Sequence, residues 1–211
     1  MSDSTPFRIK PLLPPEWGEE QYDALSAFPT GRDFVLANWE TDGARGTYGL
    51  GALLSHPALA KAFFTFNFHI SKNSTLTKRD SELLILRIGW LRQSEYEYLQ
   101  HVVLGLRVGL TEEDIARIQE GPEADGWSRV DRALVRAVDE LHSVACISDE
   151  TWEVLKKHYS DQQIMDIIMT VGCYEVAAMV FKSFKLPPEP GVPPMSDDER
   201  ERMYGQPGLK P

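Results

Sequence analysis

The chain has 211 residues, 42% of them hydrophobic, so it can bury a full core as one domain or as two closely packed halves. Its formal net charge of −10 disfavours nucleic-acid binding, because a phosphate backbone requires a basic surface. Two cysteines, Cys146 and Cys173, argue against a disulfide scaffold, and neither an apolar signal core nor a run of about 20 apolar residues is found. We therefore expect a soluble cytoplasmic protein that contacts neither nucleic acid nor membrane.

Clusters of proline near the two chain ends predict extended arms around a helical middle. The N-terminal arm is expected over residues 1–20, and a Pro-rich C-terminal tail over residues 187–211. Within the tail, the capping-box sequence SDDE predicts a short helix from Ser196 to about Tyr204. The domain between the arms is then expected to span residues 21–186.

Capping signals and apolar periodicity predict helices through most of this domain. Thr77 begins a helix whose leucines and isoleucines nearly encircle it, which indicates a central position in the core. Ser94 to Val108 forms the next helix, closed by Gly109. No run of alternating β-branched residues is present, so the predicted fold class is all-α. The remaining predicted helices are 57–71, 111–121, 128–144, 148–158 and 161–184.

A faint internal repeat suggests two related helical halves. The segments TKRDSELLILRIG and YSDQQIMDIIMTVG both run from a cap into an apolar helix that ends at glycine. Each is followed by a Tyr-Glu pair, at residues 96–97 and 174–175.

The candidate catalytic residues lie on and before the helix that follows Ser94. Ser94, Glu97 and His101 occupy positions i, i+3 and i+7, so they share one helix face. Glu82 precedes Ser94 by twelve residues and lies among leucines. Two carboxylates and an imidazole beside an apolar surface suit proton transfer, since imidazole titrates near neutral pH. His101 is the predicted proton carrier, Glu82 assists it, and Glu97 orients the imidazole or the substrate.

Each of these residues also has a structural interpretation. Ser94 and Glu97 form a capping-box pattern, in which Ser94 bonds the Glu97 amide and the Glu97 side chain returns the bond. Glu82 could pair with a basic residue of its own helix, such as Arg79. His101 could be a core histidine bonded to a neighbour.

Three further side chains are candidate substrate contacts. Arg87 could hold a substrate carboxylate through two parallel hydrogen bonds, with a surface salt bridge as its alternative role. Tyr96 and Ser94 could line a pocket, although an aromatic cluster is more often part of a core. Histidine and cysteine spacings match no metal site, and no phosphate loop or dinucleotide fingerprint is present, so neither metal nor cofactor is expected.

The segment SELLILRIGWLRQSEYEYLQHVVLGLRVGLTEEDIARIQEG, residues 81–121, resembles the carboxymuconolactone decarboxylase family, which includes alkylhydroperoxidase-D-like proteins. The redox branch of that family has a Glu, a CxxC pair and a His at the spacings of Glu82, Ser94, Glu97 and His101. Here serine and glutamate stand where the cysteines would be, so peroxide reduction by a thiolate is not expected. The chain resembles instead the non-redox branch, in which a Tyr-Glu-x-x-x-His run replaces the cysteines.

The resemblance implies an all-α, alkylhydroperoxidase-D-like helical bundle that forms a homo-oligomer, such as a dimer, trimer or hexamer. It implies a cofactor-independent decarboxylase or isomerase that acts by acid–base chemistry on a small carboxylated, cyclic metabolite, as in aromatic degradation. One alternative is a non-catalytic ligand-binding or assembly protein on the same scaffold. A second, residual peroxidase activity, is disfavoured by the missing CxxC pair.

Overall fold

A computed structural model describes residues 7–41 and 45–205 of the chain. Within these ranges the chain forms α-helices, a 3₁₀ turn and a π turn, and no strand. The predicted all-α fold class is therefore confirmed. The helices are α1 (Glu19–Leu25), α2 (Pro29–Asn38), α3 (Thr47–Leu53), α4 (Pro57–Phe68), α5 (Lys78–Leu91), α6 (Glu95–Arg107), α7 (Glu112–Glu120), α8 (Arg129–Val144), α9 (Asp149–Leu155), α10 (Asp161–Phe184) and α11 (Asp197–Gly205).

The helices with strong capping signals begin where the sequence predicts them. Thr77, Thr111 and Ser128 each accept a hydrogen bond from the backbone N–H three residues on, at the starts of α5, α7 and α8. The sequence predicts no individual helix at α1, α2 or α3. The side chains of their N-cap residues, Gly18, Phe28 and Gly46, accept no hydrogen bond from the first turn, so these helices carry little capping signal.

The chain ends contain the irregular segments that proline predicts. Residues 7–18 are mostly irregular, apart from a 3₁₀ turn at Pro14–Glu16. Before α11, the Ser196 hydroxyl accepts the Glu199 N–H, and the Glu199 carboxylate accepts the Ser196 N–H, so the predicted capping box is formed. The parts of the predicted arms at 1–6 and 206–211 lie outside the described residues.

The described chain divides into two compact units. The first comprises residues 7–41, 45–73 and 179–194, and the second comprises residues 74–178 and 195–205. The first unit has its own apolar core, with α1 packed on α4. Buried members of this core are Trp17, Ala24, Leu25, Val35, Leu54, Ala60 and Phe64.

The second unit is built around α5 and contains every candidate site residue. Leu83, Leu84, Leu86 and Ile88 are fully buried, and α5 packs against α6, α7 and α8. Each such aliphatic side chain stabilises the fold by about 1.5–3 kcal/mol on burial. The central position predicted for this helix is confirmed, and it gives the site a rigid support.

Helix α10 is long and apolar enough to cross a membrane by length and composition, since its most apolar 18-residue window has a mean hydropathy of 1.7. The sequence predicts no membrane span, because no stretch approaches about 20 consecutive apolar residues. Ile164, Ile167 and Val171 are buried, so one face of the helix is part of a protein core.

Candidate functional site

Glu82 and His101 meet across α5 and α6. The two helices are antiparallel, because Gly89 of α5 lies against Tyr98 while Leu86 lies against Gly105. This arrangement places His101 Nδ1 2.7 Å from Glu82 Oε2. When Glu82 is ionised, Nδ1–H donates to its carboxylate, which leaves Nε2 as the nitrogen that can exchange a proton with a ligand.

The Glu82–His101 pair is neither sealed in the core nor fully solvated. The side chains of His101 and Glu82 are 13% and 14% exposed. The alternative in which Glu82 pairs with Arg79 is not observed, since Arg79 donates to both carboxylate oxygens of Asp131. Both side chains are therefore mostly buried, and a small part of each is in contact with solvent.

Tyr174 of α10 fixes the plane of the imidazole from a third helix. Its ring centroid lies 5.0 Å from that of His101, and the two planes meet at 88°, an edge-to-face contact. Tyr174 is not among the site residues predicted from the sequence. The available signal was the Tyr-Glu repeat, which places Tyr174-Glu175 in correspondence with Tyr96-Glu97.

The carboxyl group of Glu97 is buried without a hydrogen-bond partner among the described residues. Glu97 is 2% exposed, and neither Oε1 nor Oε2 has a hydrogen-bond partner within the described ranges. Burial raises the pKa of Glu97 well above its usual value, because a charged carboxylate would lose its hydration and gain no partner. A protonated, uncharged Glu97 is therefore favoured, one helical turn before His101.

The capping box considered for Ser94 and Glu97 does not form. Ser94 stands at the N-cap of α6, but its side chain makes no cap hydrogen bond. Gln93 before it has a left-handed backbone with φ 53°, so the chain enters α6 from a tight turn that leaves Ser94 fully buried. The Ser94 hydroxyl, like the Glu97 carboxyl, has no partner among the described residues. Each unpartnered buried polar group costs about 1–3 kcal/mol, so packing alone does not explain the positions of Ser94 and Glu97.

Arg87 is engaged by the fold and does not present its guanidinium to a substrate. Nε and Nη2 donate to the two carboxylate oxygens of Asp139 at 2.6 and 2.8 Å, and Nη1 donates to the carbonyls of Ile118 and Gln119. The Arg87 side chain is only 7% exposed. The predicted grip on a substrate carboxylate and the alternative surface salt bridge are therefore both replaced by a buried ion pair that joins α5, α7 and α8.

Tyr96 is buried, and the two cysteines differ in their exposure. Tyr96 is 5% exposed, which places it in the core of the second unit, and its contact with substrate stays a prediction. Cys146 is exposed and Cys173 is buried. Across residues 7–41 and 45–205, no three His, Cys, Asp or Glu side chains are grouped as a metal site.

Comparison with known proteins confirms the resemblance found in the sequence. Residues 57–140 match the model of the carboxymuconolactone decarboxylase family. A solved structure from Agrobacterium tumefaciens, described as a protein of unknown function and a candidate antioxidant defence protein AhpD, is similar with a TM-score of 0.59. The two chains are 23% identical over 64% of this chain and 92% of that chain, which shows an AhpD-like fold alone. No curated protein matches the sequence.

Proposed function

Because residues 57–140 carry the carboxymuconolactone decarboxylase family pattern without a CxxC pair, we propose that this protein is a cofactor-independent acid–base lyase or isomerase. Its substrate is a small carboxylated, cyclic metabolite, and the lyase reaction is a decarboxylation in the cytoplasm. The observation that carries the proposal is the hydrogen bond between Glu82 and His101, one helical turn from the buried carboxyl of Glu97.

His101 is the proton carrier in the proposed reaction. When the C–C bond to the carboxylate breaks, CO2 leaves and the electron pair stays on the substrate carbon as an enolate. The imidazolium form of His101 donates the proton on Nε2 to this carbon and later recovers a proton from water. Glu82 stabilises the imidazolium, because its carboxylate accepts the Nδ1 hydrogen throughout. For an isomerase, the same nitrogen removes and returns one proton.

Glu97 and Ser94 are the proposed donors to the oxygen of the enolate. A protonated carboxyl can donate a hydrogen bond, which an ionised one cannot, and burial favours the protonated form of Glu97 by raising its pKa. Such a donor in a dry site stabilises developing negative charge on oxygen. These two residues take the substrate-binding role that sequence analysis assigned to Arg87.

Peroxide reduction is not proposed, since it would need an attacking thiolate and a resolving thiol. Positions 94 and 97 hold serine and glutamate. The antioxidant description belongs to the Agrobacterium protein, and the cysteines of this chain, Cys146 and Cys173, lie after the matched residues 57–140.

The proposal is tested by ligand screening followed by turnover. A thermal-shift screen with lactone carboxylic acids and aromatic acids identifies ligands, and product formation from each hit is then followed by NMR. We expect His101→Ala to lower kcat by about 10²–10⁴-fold with the fold retained. His142→Ala is the matched control, because His142 is also largely buried, at 24% exposed, and is paired with a glutamate, Glu175, that is not a proposed site residue. Binding by the wild type without product, or full turnover by His101→Ala, contradicts the mechanism; the first result favours a ligand-binding protein.

A further inference from the structure

Helix α11 is bonded to the turn that leads into α6. Gln93 of that turn is 8% exposed, and its Nε2 donates to a backbone carbonyl of α11 at 2.8 Å. Glu95, the first residue of α6, accepts two hydrogen bonds from Arg200 at 2.7 and 3.0 Å and one from the Tyr204 hydroxyl at 3.0 Å. The residues on either side of Ser94 are therefore both held by α11.

The turn into α6 needs such support because its backbone conformation is unfavourable. Gln93 has a φ of 53°, a left-handed conformation that is costly for a residue with a side chain. Its backbone N–H donates to the Trp90 carbonyl, and the next amide, that of Ser94, donates to the Gly89 carbonyl. The positions of Ser94, and of Glu97 three residues later, therefore depend on how this turn is held.

A second set of contacts joins α11 to α7 and, through it, to α6. Gln119 is 6% exposed, and its Nε2 donates to Glu199 at 3.1 Å and to the Tyr98 hydroxyl at 2.9 Å. Its Oε1 accepts a hydrogen bond from Arg202 at 2.8 Å. Tyr98 directly follows Glu97, so α11 is bonded on both sides of the buried carboxyl group. All of these contacts lie within the second compact unit.

The attachment of α11 is mostly polar and incomplete. Met203 is buried, whereas the other residues of α11 are exposed or half-buried. A cleft of about 740 Å³ is lined by Trp90 of α5 and by Asp198 and Arg202 of α11. Arg200 is 47% exposed, so salt weakens its ion pair with α6. A segment held by exposed polar contacts and little apolar burial opens at a lower free energy than the whole fold.

We propose that α11 is a reversible strap that holds the turn into α6 and thereby positions Ser94 and Glu97. When α11 detaches, its bonds to Gln93, Glu95 and Gln119 are lost together, the turn relaxes, and water reaches the Glu97 carboxyl. The strap lies beyond residue 140, where the match to the family model ends. Its consequence for turnover rests on the proposed function, because an ionised Glu97 cannot donate a hydrogen bond to an enolate.

Hydrogen exchange of the full chain tests whether α11 and the turn open together. Arg200→Glu places two carboxylates against each other at the Glu95 contact, so α11 should detach more often. Peptides that contain Ser94 and Tyr98 should exchange at least about tenfold faster than in the wild type, with no change in α8. High salt should accelerate exchange of the same peptides in the wild type. Unchanged exchange around Ser94 while residues 197–205 exchange faster overturns the strap, and so does equal acceleration in α8.

Two variants separate the α11 contact from a general effect of charge. Arg136→Glu reverses a partly exposed arginine on α8 that pairs with Glu123, and it should leave exchange around Ser94 unchanged. Glu95→Arg combined with Arg200→Glu restores opposite charges at the contact, so exchange should return towards the wild-type rate. An effect of Arg136→Glu equal to that of Arg200→Glu, or a double variant that exchanges no more slowly than Arg200→Glu, overturns the proposal.

Infrared absorption tests whether the strap keeps water from Glu97. The carbonyl band of a protonated carboxyl that disappears in Glu97→Gln near neutral pH belongs to this residue. Arg200→Glu should weaken the band, because water at the carboxyl favours its ionised form. Neither exchange nor absorption requires a substrate, so both decide the strap even if the proposed reaction is not found. A wild type without this band, or a band of full strength in Arg200→Glu, overturns the control of Glu97 by α11.

Discussion

Glu97 makes the stability of the folded protein depend on pH. Its pKa is raised from the ordinary value of 4.5, so the folded protein keeps a proton that the unfolded chain releases. Its contribution is most favourable below the unfolded pKa and is lost as pH rises towards the folded pKa.

We expect Glu97→Gln to remove this dependence, because glutamine has nearly the same shape and does not titrate. The Tm of Glu97→Gln relative to wild type should rise as pH is increased above the ordinary carboxyl pKa of 4.5, because the unfolded wild-type chain then releases a proton that folded Glu97 keeps. Thermal unfolding as a function of pH measures the difference. Glu153→Gln changes an exposed carboxylate and serves as the control. A constant Tm difference between Glu97→Gln and wild type would show that the carboxyl does not change its ionisation on folding.

Two serines at helix starts, Ser94 and Ser128, should respond differently to the same substitution. Ser128 accepts the Asp131 N–H at the start of α8, so Ser128→Ala should cost about 1 kcal/mol of unfolding free energy. Ser94 makes no cap bond and its hydroxyl is buried without a partner in the described chain, so Ser94→Ala should be neutral or slightly stabilising. Urea unfolding of both variants gives the comparison, and an equal loss in both would restore the capping interpretation of Ser94. If Ser94 binds substrate, KM should rise in Ser94→Ala without loss of stability.

The ion pair between Arg87 and Asp139 joins helices that are distant in sequence. Arg87→Met should destabilise the protein by about 3 kcal/mol, at the low end for buried pairs because Asp139 is 29% exposed. Arg136→Met is the matched control on α8, since it breaks the exposed pair with Glu123 and should cost less than about 1 kcal/mol. Urea unfolding gives both values. A large rise in KM for Arg87→Met without loss of stability would instead show that Arg87 binds the substrate.

For the molecule as a whole, the distribution of its thiols predicts no hydroperoxide reductase activity. Cys146 is exposed and Cys173 is buried, and neither occupies position 94 or 97. Consumption of an organic hydroperoxide with a dithiol reductant should proceed at the rate of the dithiol alone. A faster reaction that Cys146→Ser abolishes would instead identify a thiol-dependent peroxidase.

Much of the helical fold and one side-chain pairing could be predicted because their causes are local. The hydroxyl groups of Thr77, Thr111 and Ser128 accept backbone hydrogen bonds at helix starts. The apolar periodicity of α5 predicts a core helix. Glu82 and His101 lie on consecutive helices joined by a short turn, so their proximity follows from chain connectivity. Helices α1 to α3 were not predicted individually, because their N-cap residues make no side-chain cap bond and their formation depends on packing more than on local signals.

The amino-acid sequence alone predicts the all-α fold class, the family resemblance and the proximity of Glu82 to His101. These features depend on residue spacing within one helix or between neighbouring helices. The roles of Arg87, Glu97 and Tyr174 depend on contacts that no local pattern reveals. Arg87 binds Asp139, which is 52 residues away in the sequence, and Tyr174 contacts His101 from another helix. Glu97 has no hydrogen-bond partner among the described residues. The burial of a side chain and its hydrogen-bond partners depend on how the helices pack. They determine whether an ionisable side chain joins helices through an ion pair or is a candidate reactive group.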